Sequence, residues 1–256
     1  MKTYNKGFIY FICLVSAMGG LLFGYDWVVI GGAKIFYEQF FGIAGDPAMQ
    51  GLAMSIALAG CLIGALTSGM LADKLGRKPL LLLSALIFVL TAYGTGAFSN
   101  FQYFLLARFG GGIAIGIASG LSPMYIAEVA PASIRGKLVS LNQLTIVIGI
   151  LAAQIVNWLL VSDDTAWNVA MSWRWMFWSA AFPALAFLVL AAFIPESPRW
   201  LAMKGRRERA TQILTRIGGN AYAQSELSSL QNDMEREVSS AVVGERVMQR
   251  LKEVDE

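Results

Sequence analysis

Six blocks free of Asp, Glu, Lys and Arg dominate the chain, at residues 7 to 25, 48 to 72, 79 to 107, 109 to 127, 138 to 162 and 175 to 195. A hydrocarbon core of about 30 Å takes roughly 20 apolar residues as a helix, so each block predicts one membrane-spanning helix. The first must run a little past Asp26 to cross fully, and the fourth begins close to Arg108. The third is too long for one crossing, and Ser99-Asn100 offers its natural edge. The first block is longer than the apolar core of a signal peptide, and Asp26 follows it with no small-residue cleavage site. A retained helix is therefore expected there.

After Pro195 the pattern changes to polar and highly charged. Ser197 followed by Pro198 reads as an N-cap with proline at the first helical position, and Leu227, Leu230, Met234 and Val238 recur at helical spacing. Short amphipathic helices on the cytoplasmic face are expected over residues 196–256, against a six-helix bundle over 1–195; a solvated charged tail is the alternative. Composition agrees with the blocks: 56% of residues are hydrophobic and 14% charged, against roughly 25% charged in a soluble domain, and mean hydropathy is +0.57. A net charge of +3 and two cysteines suggest neither nucleic acid nor a disulfide framework. The absence of histidine excludes His-based triads and metal sites and any imidazole switch, so proton chemistry near neutral pH falls to a carboxylate. No cofactor or metal is expected.

Lysine and arginine stay on the cytoplasmic side. All 20 lie at the amino terminus, in the second-to-third and fourth-to-fifth loops or after residue 195, except Lys34, Arg174 and the intramembrane Arg108. Both termini are expected in the cytoplasm, and an even number of spans agrees.

A carboxylate in a span costs several kcal/mol unless protonated or paired. Asp26 is such a group, and Arg108, the other charge interrupting an apolar stretch, is its natural partner. Pairing keeps the acid ionised and separation in a dry interior favours protonation, so the pair can couple a conformational change to a proton. Two other readings stand beside this one: Asp26 just beyond the span in water, or a purely structural pair. Gly60, Gly64, Gly110 to Gly112, Gly116 and Gly120 read mainly as close-packing positions between helices, and Pro123 and Pro183 as bends. Asn142, Gln143, Gln154 and Asn157 must face other helices or a wet cavity. Gln143, with Ile146 and Ile150 on its helical face, offers a two-ended hydrogen-bonding group beside an apolar wall, suited to a neutral polyhydroxylated solute; interhelical glue is the alternative, and the preferred one for Gln154 and Asn157. Cys13 and Cys61 carry no assigned role. Trp27, Trp158, Trp173, Trp175 and Trp200 fit interfacial anchors.

Three loop motifs resemble those of the major facilitator superfamily. Gly69-Met70-Leu71-Ala72-Asp73-Lys74-Leu75-Gly76-Arg77-Lys78 is similar to its G-x-x-x-D-R/K-x-G-R-R/K motif. Arg108-Phe109-Gly110-Gly111-Gly112, Ser122 through Pro131, Arg135-Gly136-Lys137 and Asn142-Gln143 resemble the sugar porter signature. Pro195-Glu196-Ser197-Pro198-Arg199-Trp200-Leu201 resembles that family's P-E-S-P-R-W-L segment. The matches run in order from residue 8 to about 220.

The resemblance implies an all-α membrane fold, one six-helix half of a twelve-helix transporter built from two inverted three-helix repeats. It implies a proton-coupled monosaccharide symporter working by alternating access, not an enzyme, in the cell (inner) membrane with lipid around it. Its partners would be sugar, a proton and a second six-helix half, with no nucleic acid. By motif position Asp26 is the proton-coupling acid and Arg108 its partner, and Gln143 binds sugar with Phe23 lining the same cavity, beside the Ile146 and Ile150 of its helical face. Asp73, Arg77, Glu128, Arg135, Glu196 and Arg199 form a cytoplasmic gate. A facilitative uniporter and a membrane module inactive without a second half are the alternatives. The resemblance covers the first half only, which is expected of a partial product, of a chain that pairs with a separate half, or of a homodimer, the first being favoured.

Overall fold

The structure is a computed structural model that describes residues 4–254, with side chains over residues 4–232. Six helices are long and apolar enough to cross a membrane: α1 (Lys6–Phe40), α2 (Pro47–Leu75), α3 (Arg77–Ala97), α4 (Phe101–Val129), α5 (Arg135–Leu160) and α6 (Thr165–Ala191). Each apolar block became one of them. Asn100 caps α4 by accepting from the Gln102 N–H, so the break falls where Ser99-Asn100 predicts it. Asp46 caps α2 in the same way, accepting from Ala48 and Met49, with Pro47 in the first turn.

Two helices extend beyond their blocks. α1 continues to Phe40 because Lys34 and Glu38 stand one turn apart, with Nζ 3.8 Å from Oε1, in a sequence that stays apolar around them. α6 begins ten residues early, at Thr165, and carries one π-turn at Asn168–Ser172. Its Asn168 side chain donates to the Ser162 carbonyl and accepts from the Ser162 N–H. Pro183, which has no N–H to give, lies beside a short interruption of α6 at Ala180.

The chain divides into two compact units, Ile9–Ser197 and Pro198–Glu256 with Met1–Phe8. In the first, glycines lay two pairs of helices backbone against backbone. A Cβ on Gly112 or Gly116 of α4 would strike the Ala57 or Cys61 carbonyl of α2, and a Cβ on Gly20 or Gly24 of α1 would strike the Asn142 or Ile146 carbonyl of α5. From the facing helices, Gly64 meets the Ile113 carbonyl and Gly149 the Leu21 carbonyl. These contacts share one register: α1 numbers raised by 92 give α4, and α2 numbers raised by 85 give α5. Where Gly60 meets the Phe109 carbonyl, the matching Thr145 donates to the matching Ala17 carbonyl at 2.6 Å. Helices α1–α3 and α4–α6 are thus two copies of one motif, inverted because three crossings reverse the direction of the chain.

At the end of the bundle remote from residue 9, Trp173 packs among Phe40, Phe41, Phe104 and Phe177. Trp173 is wholly buried and Trp200 nearly so, which corrects their reading as interfacial anchors. Each fills a core and offers its ring face to cations, Arg174 over Trp173 and Lys204 and Arg206 over Trp200. Gln154 is exposed and so joins no helices within this unit, whereas Asn157 donates to the Val28 carbonyl across α1 and α5.

The second unit contains α7 (Pro198–Met203) and α8 (Arg207–Val254). The latter is two helices joined at a kink at Gly219, whose φ of 81° and ψ of 174° suit glycine alone. Trp200, Leu201 and Ala210 make its core, with Ile213 and Leu227 against it. The Asn5 N–H donates to the Ile217 carbonyl and Tyr4 meets Tyr222 edge to face. The side chains of Met234 and Val238 lie outside the described residues.

Candidate functional site

Asp26 sits in the middle of α1 and Arg108 one turn into the buried part of α4, with Arg108 Nη1 2.6 Å from Asp26 Oδ1. Asp26 is 8% exposed and Arg108 4%, so the acid is not in open water. The guanidinium also lies over the Phe177 ring, with Cζ 5.3 Å from its centroid, a favourable placement for a cation. Nε of Arg108 has no hydrogen-bond partner within the protein.

The pair separates two cavities. The larger, about 290 Å³, lies among α1, α2 and α4, with Phe23, Trp27, Met54, Leu58, Cys61 and Ile115 in its walls. Its lining is apolar except around the pair, the usual character of a small-molecule site. The smaller lies among α3, α4 and α6. Phe23 thus shares a cavity with Asp26, whereas Gln143 is exposed on α5, and neither it nor Ile146 nor Ile150, both half-buried, lies in the walls of that cavity.

A second cluster gathers at the bundle end that holds the start of α1. Arg77, the first residue of α3, is almost wholly buried. Its Nε and Nη2 reach Glu128 at the end of α4, at 3.0 and 2.9 Å, a two-pronged pairing that fixes geometry as well as charge. Its Nη1 donates to Asp73 Oδ1 and the Ala72 carbonyl, tying in the end of α2. Glu196, just past α6, accepts from the backbone N–H groups of Arg77, Lys78 and Ser197. Its carboxylate therefore caps α3, where the unpaired N–H groups and helix dipole favour negative charge. The cap needs glycine before it: Gly76 has φ 102°, and a Cβ there would strike Glu196 Oε2.

Asp73, Arg77, Glu128 and Glu196, expected in this cluster, therefore meet around the first turn of α3. Arg135 has its Nε 3.4 Å from the Ala130 carbonyl, and Arg199 is exposed on α7. Sequence reasoning missed Tyr125, whose hydroxyl donates to the Pro195 carbonyl, and Lys78, whose Nζ donates to the Ala192 carbonyl. It also missed Phe177 beneath Arg108. A tyrosine or phenylalanine inside an apolar block carries no signal of a long-range contact.

The family described as "Sugar (and other) transporter" matches residues 12–254. The chain is 38% identical over 237 residues to the arabinose-proton symporter of Bacillus subtilis, covering 92% of this chain and 51% of that protein. It is 38% identical over 257 aligned residues to the D-xylose-proton symporter of Escherichia coli K12 (91% and 52%), and 43% identical over 224 to the glucose transport protein of Synechocystis (85% and 47%). Among solved structures, the proton:xylose symporter XylE bound to 6-bromo-6-deoxy-D-glucose superposes with a TM-score of 0.87 at 38% identity, covering 91% of this chain and 54% of that one. Partially occluded inward-open and inward-open forms of the Escherichia coli xylose transporter give 0.85 and 0.82, each at 36% identity, over 93% and 89% of this chain and 62% and 56% of those. The chain spans about half the length of the curated relatives it matches. With six crossings, the paired three-helix repeats and these matches, the chain belongs to the sugar transporter family of the major facilitator superfamily and has the fold of one six-helix half.

Proposed function

We propose that this chain forms the amino-terminal half of a symporter that carries a monosaccharide and a proton together into the cell. The observation that carries the reading is the Asp26–Arg108 pair, buried at 2.6 Å on the wall of a cavity large enough for a small solute. Asp26 accepts a proton from outside, its hold on Arg108 weakens, and the change in pairing favours the rearrangement that opens the other side. Sugar binds between this half and a second one, with Gln143, Ile146 and Ile150 on α5 and Phe23 on α1 contributing from this side. Asp73, Arg77, Glu128 and Glu196, with Arg135 and Arg199, latch the inward end. Both termini face the cytoplasm of a cell in whose inner membrane the protein resides, and residues 196–256 serve as the linker to the second half. That alternating access leaves this half intact is supported by its similar fit to partially occluded and fully inward-open relatives.

One proton entering with each sugar gains roughly 2.3 kcal/mol per 100 mV of membrane potential, enough for about fifty-fold accumulation. The test places the chain ahead of a second six-helix half in liposomes and follows labelled pentose and hexose with internal pH. Asp26→Asn is expected to abolish accumulation driven by a proton gradient and to leave sugar exchange in place. Undiminished accumulation in that variant removes Asp26 from coupling. Sugar flux that moves no proton in the unaltered protein makes the transport facilitative.

A further inference from the structure

When Asp26 takes up a proton, Arg108 loses its counter-ion while remaining buried, and a guanidinium cannot shed its own charge. Something must hold it during that interval. The Phe177 ring covers one flank, but Nε–H, which has no partner within the protein, needs an acceptor, because an unsatisfied buried donor is costly.

The smaller cavity beside the pair is lined by Asp26, Arg108, Thr91, Thr95, Gly111 and Phe177, among others. It leaves about 10 Å³ to the centre of a water-sized sphere, roughly what a single water requires. Both threonine hydroxyls spend their protons on the helix they belong to. Thr91 donates to the Ile87 carbonyl at 2.8 Å, and Thr95 donates to the Thr91 carbonyl at 2.7 Å. Each keeps a lone pair for a donor in the cavity. Thr91 lies this close to α4 because the residues opposite are glycines: a Cβ on Gly111 would stand 3.2 Å from its Oγ1.

The geometry points to a binding site for one ordered water molecule in this cavity, which accepts from Arg108 Nε–H, donates to Thr91 and Thr95, and keeps Arg108 hydrogen-bonded while Asp26 is neutral. Three partners lie within the usual range for a buried water. The remaining walls, Phe88 and Ala92 of α3, Ala107 of α4 and Ala180 of α6, carry no titratable group. On the other side of the pair, α2 offers Cys61. Thr91 and Thr95 are then positioning residues, acting on Arg108 through the water. The inference rests on the reading of Asp26 as the proton acceptor, but the site can be tested separately from it.

The experiment uses the isotope-labelled chain in lipid nanodiscs and reads cross-relaxation between water and the Arg108 Nε–H proton by NMR. The unaltered chain is expected to show a water signal. Gly111→Ala, which fills the space and removes no polar group, should lose it, as should Thr91→Val. Thr91→Ser should keep it, and Asp26→Asn, which imitates the neutral acid, should keep it too. Absence of the signal in the unaltered chain overturns the proposal, as does its persistence in both Gly111→Ala and Thr91→Val. The coupling reading stands or falls on transport by Asp26→Asn, so a coupled transporter with no water signal refutes the site alone.

Discussion

Exchanging Asp26 for asparagine keeps the shape of the side chain and strands a cation in the bundle. Arg108 is 4% exposed, and breaking a buried pair from one side costs about 3–5 kcal/mol. The Phe177 ring remains under the guanidinium, which places the expected loss near the lower end, about 3 kcal/mol. Arg108→Gln should cost less, because a stranded carboxyl can neutralise itself by binding a proton. The double variant leaves no charge and two amides able to bond each other, so it should be little worse than Asp26→Asn. The coupling energy in this cycle is then about 2–3 kcal/mol, at the upper end for residues in contact. Unfolding of the chain by SDS in mixed micelles, followed through the tryptophans of α6, measures all four proteins. Additivity within about 0.5 kcal/mol, the behaviour of independent sites, would refute the argument that this pair is shielded from bulk solvent.

Two further outcomes follow from the backbone. Gly24→Val and Gly116→Val occupy matched positions, and each drives a side chain into a carbonyl of the crossing helix. Each should destabilise by about 1–3 kcal/mol or more, and a clear disparity between them in the same unfolding assay would break the repeat register. Gly76→Ala places a Cβ at φ 102° against Glu196 and should lose about 1–3 kcal/mol. Combining it with Glu196→Ala, which takes away the oxygen that the Cβ would strike, should relieve none of that loss if backbone strain is the cause, and part of it if the side-chain contact is.

The six crossings were readable because burial in lipid forbids charge over a whole helix, and that constraint leaves uninterrupted blocks. Helix ends were less readable. Arg174 seemed to close the loop before α6, yet it is taken into the helix by the carbonyls of Gly96 and Ala170 and the hydroxyl of Ser99, partners far away in sequence or hidden in the backbone. The Asp26–Arg108 pairing could be anticipated, since two isolated charges in apolar surroundings have few other options. The cap that Glu196 places on α3 could not, because its recipients are backbone groups over a hundred positions away, and nothing in a motif announces an N–H. Phe177 and Thr91 were hidden for a related reason: aromatic and hydroxyl residues are common in spans, and only three-dimensional neighbours distinguish the one beside a charge.

At the glycine crossings, Gly24 and Gly149 between α1 and α5 and Gly60, Gly64, Gly112 and Gly116 between α2 and α4, backbone meets backbone with no side chain between. Side chains that change rotamer can act as a cushion, letting helices slide; carbonyl against Cα has no such give. Each crossed pair should therefore travel as a welded strut, and displacement during a transport cycle should be taken up at looser seams, where bulky residues mesh.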